Sequence, residues 1–195
     1  GKGKEFKKDL EFQVEDSINH ISQAFEGEDF EYKKNQILTA FVEDTNRMYL
    51  KADEEARAYG FTVSRNQNGI SSVPLKNGET LSQEEYLNMS EEERAELMKR
   101  SSLVQEKLNE AFRQYRELEK DIKARIKELE QETARSVISP NFDKLVKKYR
   151  AFREVINYLE DLQQDLLDNL ELFTKPEDPS TVNLFHHVSR RTSER

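Results

Sequence analysis

The residues that could do chemistry in this chain are few and scattered. Glycines at positions 1 and 3 alternate with lysines at 2 and 4, the residue types of a phosphate-binding loop. A Walker loop needs GxxxxGK[ST] behind a strand, so that successive backbone amides cradle phosphates. Neither that spacing nor the strand is present, which leaves a loop leading into a helix. The three histidines are His20, His186 and His187. A helical zinc site asks for histidines at i and i+4 with a further ligand nearby. His20 stands alone on a polar face and the other two are adjacent in a tail-like segment, so no metal ligands are expected. Carboxylates are abundant, as in Glu91 to Glu93 and Glu160-Asp161, but such runs form solvated helix faces. Serines 17, 22, 90, 101, 102 and 136 fall at caps or on helix faces with no paired base. With no cysteine in the chain, thiolate metal sites, disulfides and cysteine nucleophiles are excluded. No catalytic residue, metal site or cofactor site is expected, and the chain reads as no enzyme in itself.

Composition points to an unusual architecture. Hydrophobic residues make up 35% and charged residues 36%, against about 45–50% and about 25% in ordinary globular chains. A thick core is disfavoured; a narrow seam between long helices needs only two or three apolar positions per heptad. The net charge of −8 gives no electrostatic footprint for nucleic acid. No apolar run approaches the ~20 residues that span a bilayer, and no signal-peptide h-region follows the basic start. Neither nucleic acid nor a membrane is an expected partner, and a cytoplasmic protein fits.

The elements that must position any site follow from periodicity. Phe6, Leu10, Val14, Ile18, Ile21 and Phe25 predict a helix over 4–25, ended by Gly27. Phe30, Ile37, Phe41, Met48, Ala52 and Ala56 predict a second over 29–59. Gly60 stops it at the position where a left-handed conformation costs least. The period then changes to two. Phe61, Val63 and Arg65 alternate with Thr62 and Ser64, Asn66-Gln-Asn-Gly69 signals a turn, and Ile70 to Leu75 returns, with Pro74 marking an edge. This is a β-hairpin over about 61–75, with a second turn at Lys76-Asn-Gly78. Ser82-Gln-Glu-Glu85 and Ser90-Glu-Glu-Glu93 are capping boxes. The first opens a short helix to about Asn88. The second opens a helix over 90–139, whose apolar row runs from Leu97 through Val104, Leu108, Ile122 and Leu129 to Val137. That helix reaches roughly 70 Å at 1.5 Å per residue. Pro140 is expected to end it, and a last helix over 141–173 to fold back against it. Residues 174–195 read as a linker and tail, with a candidate strand at 182–185. The expected fold is mainly α, an elongated antiparallel helical coiled-coil bundle with a small β-hairpin insertion, in one domain over 1–173.

Apolar residues away from their stripes are candidate contacts for a partner. Phe12 points nearly opposite Leu10 and Val14, and Tyr32 is similarly placed. The hairpin, through Phe61, Val63, Ile70, Val73 and Leu75, could pair with an extended polypeptide by strand addition. Capping of the bundle is the alternative for the hairpin, and cover by a neighbouring helix for the aromatics.

The order of these features resembles the helical insertion of bacterial Lon-like proteases, the LonC-type group and its relatives with a divergent AAA+ module. The stretches that carry the resemblance are Gly1-Lys-Gly-Lys-Glu-Phe6, Ala24-Phe-Glu26, Glu55-Ala-Arg-Ala-Tyr-Gly-Phe61, Pro74-Leu-Lys-Asn-Gly78, Leu81-Ser-Gln-Glu-Glu85, Ser90-Glu-Glu-Glu-Arg94 and Asp168-Asn-Leu-Glu-Leu-Phe173. Val182-Asn-Leu-Phe185 is similar to the strand by which that family re-enters its AAA+ core; after Phe185 the sequence departs from the family pattern. The resemblance implies a helical substrate-engaging and gating domain of an ATP-dependent Ser–Lys endopeptidase. Its implied partners are unfolded protein substrates and the rest of a homo-hexameric protease ring. ATP and magnesium would belong to the parent chain and not to this part. The family's catalytic and nucleotide motifs have no counterpart here. The alternative is a stand-alone coiled-coil scaffold or adaptor that dimerises along its long helix.

Overall fold

The computed structural model describes residues 1–172 apart from Asn68. The expected helix end at Phe173, the linker and tail of 174–195 and the strand at 182–185 lie outside the described residues. The chain is mainly α-helical with a small antiparallel sheet inserted between helices. In order, its elements are α1 (Lys2–Phe25), α2 (Glu28–Arg57), β1 (Phe61–Asn66), β2 (Gly69–Lys76), β3 (Glu79–Thr80), α3 (Gln83–Leu87), α4 (Glu91–Lys148) and α5 (Arg153–Asp168), with a 3-10 turn over Leu170–Leu172. Two compact units share them: one of Gly1–Leu38 with the described residues from Lys123, and one of Thr39–Ile122.

The first unit is a helical bundle. Lys148 Nζ meets Asp9 Oδ2 at 2.6 Å, and Asn141 Nδ2 donates to Asp16 Oδ2 at 3.1 Å. Partners fall on α1 as they rise on α4, so the two helices are antiparallel. Gln163 Nε2 donates to Ser139 Oγ at 3.1 Å and Gln131 Nε2 to the Leu167 carbonyl at 3.5 Å, which makes α5 antiparallel to α4 as well. The apolar stripes meet in a core of Ile21, Ala134, Ile138, Phe142, Leu145, Leu159 and Leu166, with Phe6, Leu10, Val14 and Phe25 packed around it. Each fully buried large side chain stabilises by about 1.5–3 kcal/mol. Ser17, also fully buried, accepts a hydrogen bond from Asn141 Nδ2 at 3.3 Å, so its hydroxyl is not stranded.

Two boundaries expected here are corrected. The long helix does not end at Ser139: α4 runs through Pro140 to Lys148. Proline removes one backbone bond, to the carbonyl four residues back, and crowds that carbonyl, at about 3 kcal/mol or more. Pro140 and Ser136 are both exposed, so water reaches the freed carbonyl, while Ala134, Ile138, Phe142 and Leu145 on the opposite face keep the helix seated in the core. The reversal comes instead at Tyr149–Phe152, where the Phe152 amide donates to the Tyr149 carbonyl at 2.9 Å. The single helix expected over 141–173 is therefore the end of α4, this turn, α5 and a 3-10 turn. No glycine or proline marks the reversal. Tyr149 is held by tertiary contacts, its ring edge-on to Phe6 at 5.0 Å and its hydroxyl donating to Asp9 Oδ2 at 2.8 Å.

The second unit packs the sheet on α2 and α4. Arg100 Nη1 donates to the Tyr59 carbonyl at 3.0 Å and Phe41 lies 6.1 Å from Tyr115, so these helix stretches are antiparallel too. Ala52, Ala56, Phe61, Val63, Leu97, Val104 and Leu108 form the core. Gly60 has φ +79°, the left-handed conformation expected after α2. The second turn, Lys76-Asn77-Gly78-Glu79, has φ of 52° at Asn77 and 82° at Gly78, the signature of a type I′ hairpin. It adds β3, a third strand that the sequence pattern did not predict, pairing Leu75 with Thr80 and Lys76 with Glu79. Both capping boxes form: Ser82 with Glu85, and Ser90 with Glu93 at 3.1 and 3.3 Å.

Candidate polypeptide-binding site

The two edges of the β1–β2 hairpin are built differently. β1 and β2 pair antiparallel, Phe61 with Pro74, Val63 with Ser72 and Asn66 with Gly69. The Leu75 amide donates to the Gly60 carbonyl at 2.8 Å. Hydrogen-bonded and non-hydrogen-bonded pairs alternate along such a ladder. The ladder bonds therefore fall on Thr62–Val73, Ser64–Ser71 and Asn66–Gly69. The amides and carbonyls of Phe61, Val63 and Arg65 turn outward on the β1 side, as do those of Ile70 and Ser72 on the β2 side.

On the β1 side α2 closes the edge at Val63. The Val63 amide donates to Asp53 Oδ1 at 2.8 Å, and its carbonyl accepts from the Tyr49 hydroxyl at 2.7 Å. Thr62 Oγ1 adds a bond to Asp53 Oδ1 at 2.8 Å, and Arg57 Nε donates to Asp53 Oδ2 at 3.0 Å. Tyr49, Asp53 and Arg57 recur every four residues and so share one face of α2. The Arg65 guanidinium lies 3.7 Å over the Tyr49 ring and covers it further. Burial pushes the Asp53 carboxyl up, but the bonds from the Val63 amide, Arg57 and Thr62 outweigh it and hold the group below the usual carboxylate range.

On the β2 side protection is partial. The Leu81 amide takes the Pro74 carbonyl at 2.9 Å, proline has no amide to satisfy, and β3 pairs with Leu75 and Lys76. Among the described residues no strand lies beyond β2 over Gly69–Val73.

The residues expected to contact a partner separate accordingly. Phe61 and Val63 are 2% and 4% exposed, packed in the core of the second unit. Their side chains are turned inward against α2 and α4, as the alternation that marked them as a strand implies. Ile70 is half-buried against the same core, and Val73 and Leu75 are half-buried. Phe12 and Tyr32 are exposed, at 65% and 63%, but belong to the first unit. Phe12 borders a groove with Lys8, Gln13, Lys144 and Lys148, and the Tyr32 hydroxyl accepts from Gln36 Nε2 at 3.0 Å. The seven residues thus form no single patch within either unit. Tyr49 and Asp53 were missed; their four-residue spacing with Arg57, just before the hairpin, was the available signal.

Among the described residues no group of three or more His, Asp or Glu could hold a metal ion, and no helix is long and apolar enough to cross a membrane. No family model, curated protein or solved structure matches the chain.

Proposed function

We propose that this chain is the helical substrate-engaging and gating domain of a Lon-like ATP-dependent protease, binding unfolded polypeptide and cleaving nothing itself. The observation that carries this reading is the order of the motifs along the chain, since they fall at the joints between elements. Gly60-Phe61 opens the sheet, Asn77-Gly78 makes its second turn, and Ser82–Glu85 and Ser90–Glu93 start α3 and α4. A sheet edge supports the polypeptide-binding part of the reading, because unpaired amides and carbonyls recognise any extended backbone with little regard to side chains. In this reading the parent is a cytoplasmic homo-hexameric ring that supplies the ATP site and the Ser–Lys dyad. The test is binding of the full chain to one protein in its folded form and in a permanently unfolded form. Selective retention of the unfolded form is expected; equal retention of both, or of neither, overturns the reading.

A further inference from the structure

The geometry points to the outer edge of β2, at Ile70 and Ser72, as the seat of an extended, uncharged peptide segment bound by strand addition. This deepens the substrate-engaging role proposed above and rests on it. Two residues with outward amides and carbonyls offer four hydrogen bonds to an added strand, over a seam of about 17 Å at ~3.4 Å per residue. The seam has defined ends. The hairpin turn bounds it at Gly69, and beyond Val73 the Pro74 carbonyl is taken by Leu81 and β3 occupies the edge. An incoming segment therefore pairs over four or five residues and must then leave the sheet.

The contrast with β1 lies at its middle residue. On the same sheet, Asp53 and Tyr49 satisfy the outward amide and carbonyl of Val63. Natural edges are commonly guarded by charge, lysine above all. Gly69-Ile-Ser-Ser-Val73 carries none, and the lysine that follows, Lys76, is paired with Glu85 at 3.5 Å. A neutral edge matches a neutral segment, since a charged residue laid along it would lose water without gaining a counter-charge.

A second copy of this chain is the rival occupant. Pairing two copies through this seam engages only the five residues Gly69–Val73 of each, against roughly 20–30 residues a side in a stable interface. The same seam suits a transient peptide, whose capture needs only low affinity.

The test uses the full chain and a fluorescent seven-residue peptide of alternating valine and threonine, with a lysine pair at one end for solubility, read by fluorescence anisotropy. Ser72→Pro removes the outward amide without touching the β1–β2 ladder, and an edge strand tolerates proline. It should weaken binding about tenfold, the worth of one lost hydrogen bond, with an unchanged far-UV circular dichroism spectrum. A second probe leaves the protein intact: the same peptide N-methylated on every residue, which should not bind, beside one N-methylated on alternate residues, which keeps one edge of amides free to face β2 and should bind. Binding of the fully methylated peptide equal to that of the unmethylated one, or equal binding by Ser72→Pro, would overturn the seam while leaving the broader reading standing. Retention of an unfolded protein without any binding of the peptide would do the same. Failure of both ligands to bind would sink both readings. A dimer in light scattering that Ser72→Pro dissolves would assign the seam to a second copy and overturn the peptide.

Discussion

The two units hold their elements together by different kinds of polar contact over similar apolar cores. In the first, α1 is pinned to the end of α4 by side chain on side chain: Lys148 reaches Asp9 and Glu5, and Tyr149 donates to Asp9. The Lys148 and Glu5 side chains are half-exposed, at 48% and 56%, so water and salt screen the contact. In the second, α2 is pinned to β1 by side chain on backbone. Asp53 is only 20% exposed, and its partner is an amide that has no ladder bond to fall back on. Ion pairs of the first kind can be lost cheaply. The second kind covers an outward strand amide, and its loss leaves that amide without an acceptor.

The largest effect should come from the cores. Phe142→Ala, at a side chain 1% exposed, should lower stability by about 3–5 kcal/mol, read as a shift in the urea unfolding midpoint. A small loss there would show that the bundle of the first unit is loosely packed. Next comes the buried polar contact. Asp53→Ala leaves the Val63 amide without an acceptor and should cost about 1–3 kcal/mol.

The same carboxylate sets a pH dependence. Its folded pKa lies below the ordinary value, so the stability it contributes is present above the unfolded pKa, about 3.9. That contribution is lost as pH falls through the folded value. The stability gap between the parent protein and Asp53→Asn should therefore be constant near neutrality and narrow below about pH 4. A gap that is flat down to pH 2 would contradict the bonding described here.

Gly60→Ala should cost about 1–2 kcal/mol, since it forces a side chain into the left-handed region. The new Cβ would also stand 2.7 Å from Arg100 Nη1, displacing the guanidinium from the Tyr59 carbonyl. Thermal melting checks it, and Arg100→Ala in the same background should recover part of the loss. The smallest effect belongs to the exposed cluster. The Lys148 and Tyr149 bonds hold the Asp9 carboxyl below its usual range, yet Asp9→Ala should shift the melt least of the four, and molar salt should remove the part of that shift that comes from Lys148. A salt-insensitive loss comparable to that of Asp53→Ala would erase the distinction between the two pins.

How much of this was legible in the sequence differs by the range of the cause. Local signals were read correctly where the reason is contained within a turn. Gly60 takes positive φ, Asn77-Gly78 makes the type I′ turn, and each Ser-x-x-Glu forms its capping box. Pro140 misled because its penalty is local but the compensation is not. The row Ala134, Ile138, Phe142, Leu145 and Tyr149 continues at helical spacing straight through it, and that continuity was the better guide. The reversal at Tyr149–Phe152 had no breaker to announce it.

The sequence alone determined the helical periods, the switch to period two at Phe61, the caps and the positive-φ turns, because each is decided by neighbours a few residues away. Tertiary structure alone decided where α4 stops, how deeply Phe61 and Val63 are buried, and that Tyr49 and Asp53 cover β1 at Val63 while no described strand pairs with β2 over Gly69–Val73 on its outer side. Those outcomes depend on burial and on hydrogen-bond partners brought together from distant positions, such as Asn141 on Ser17 and Asp53 on Val63. No local pattern encodes such pairings, since the energy that selects them exists only once the elements have packed.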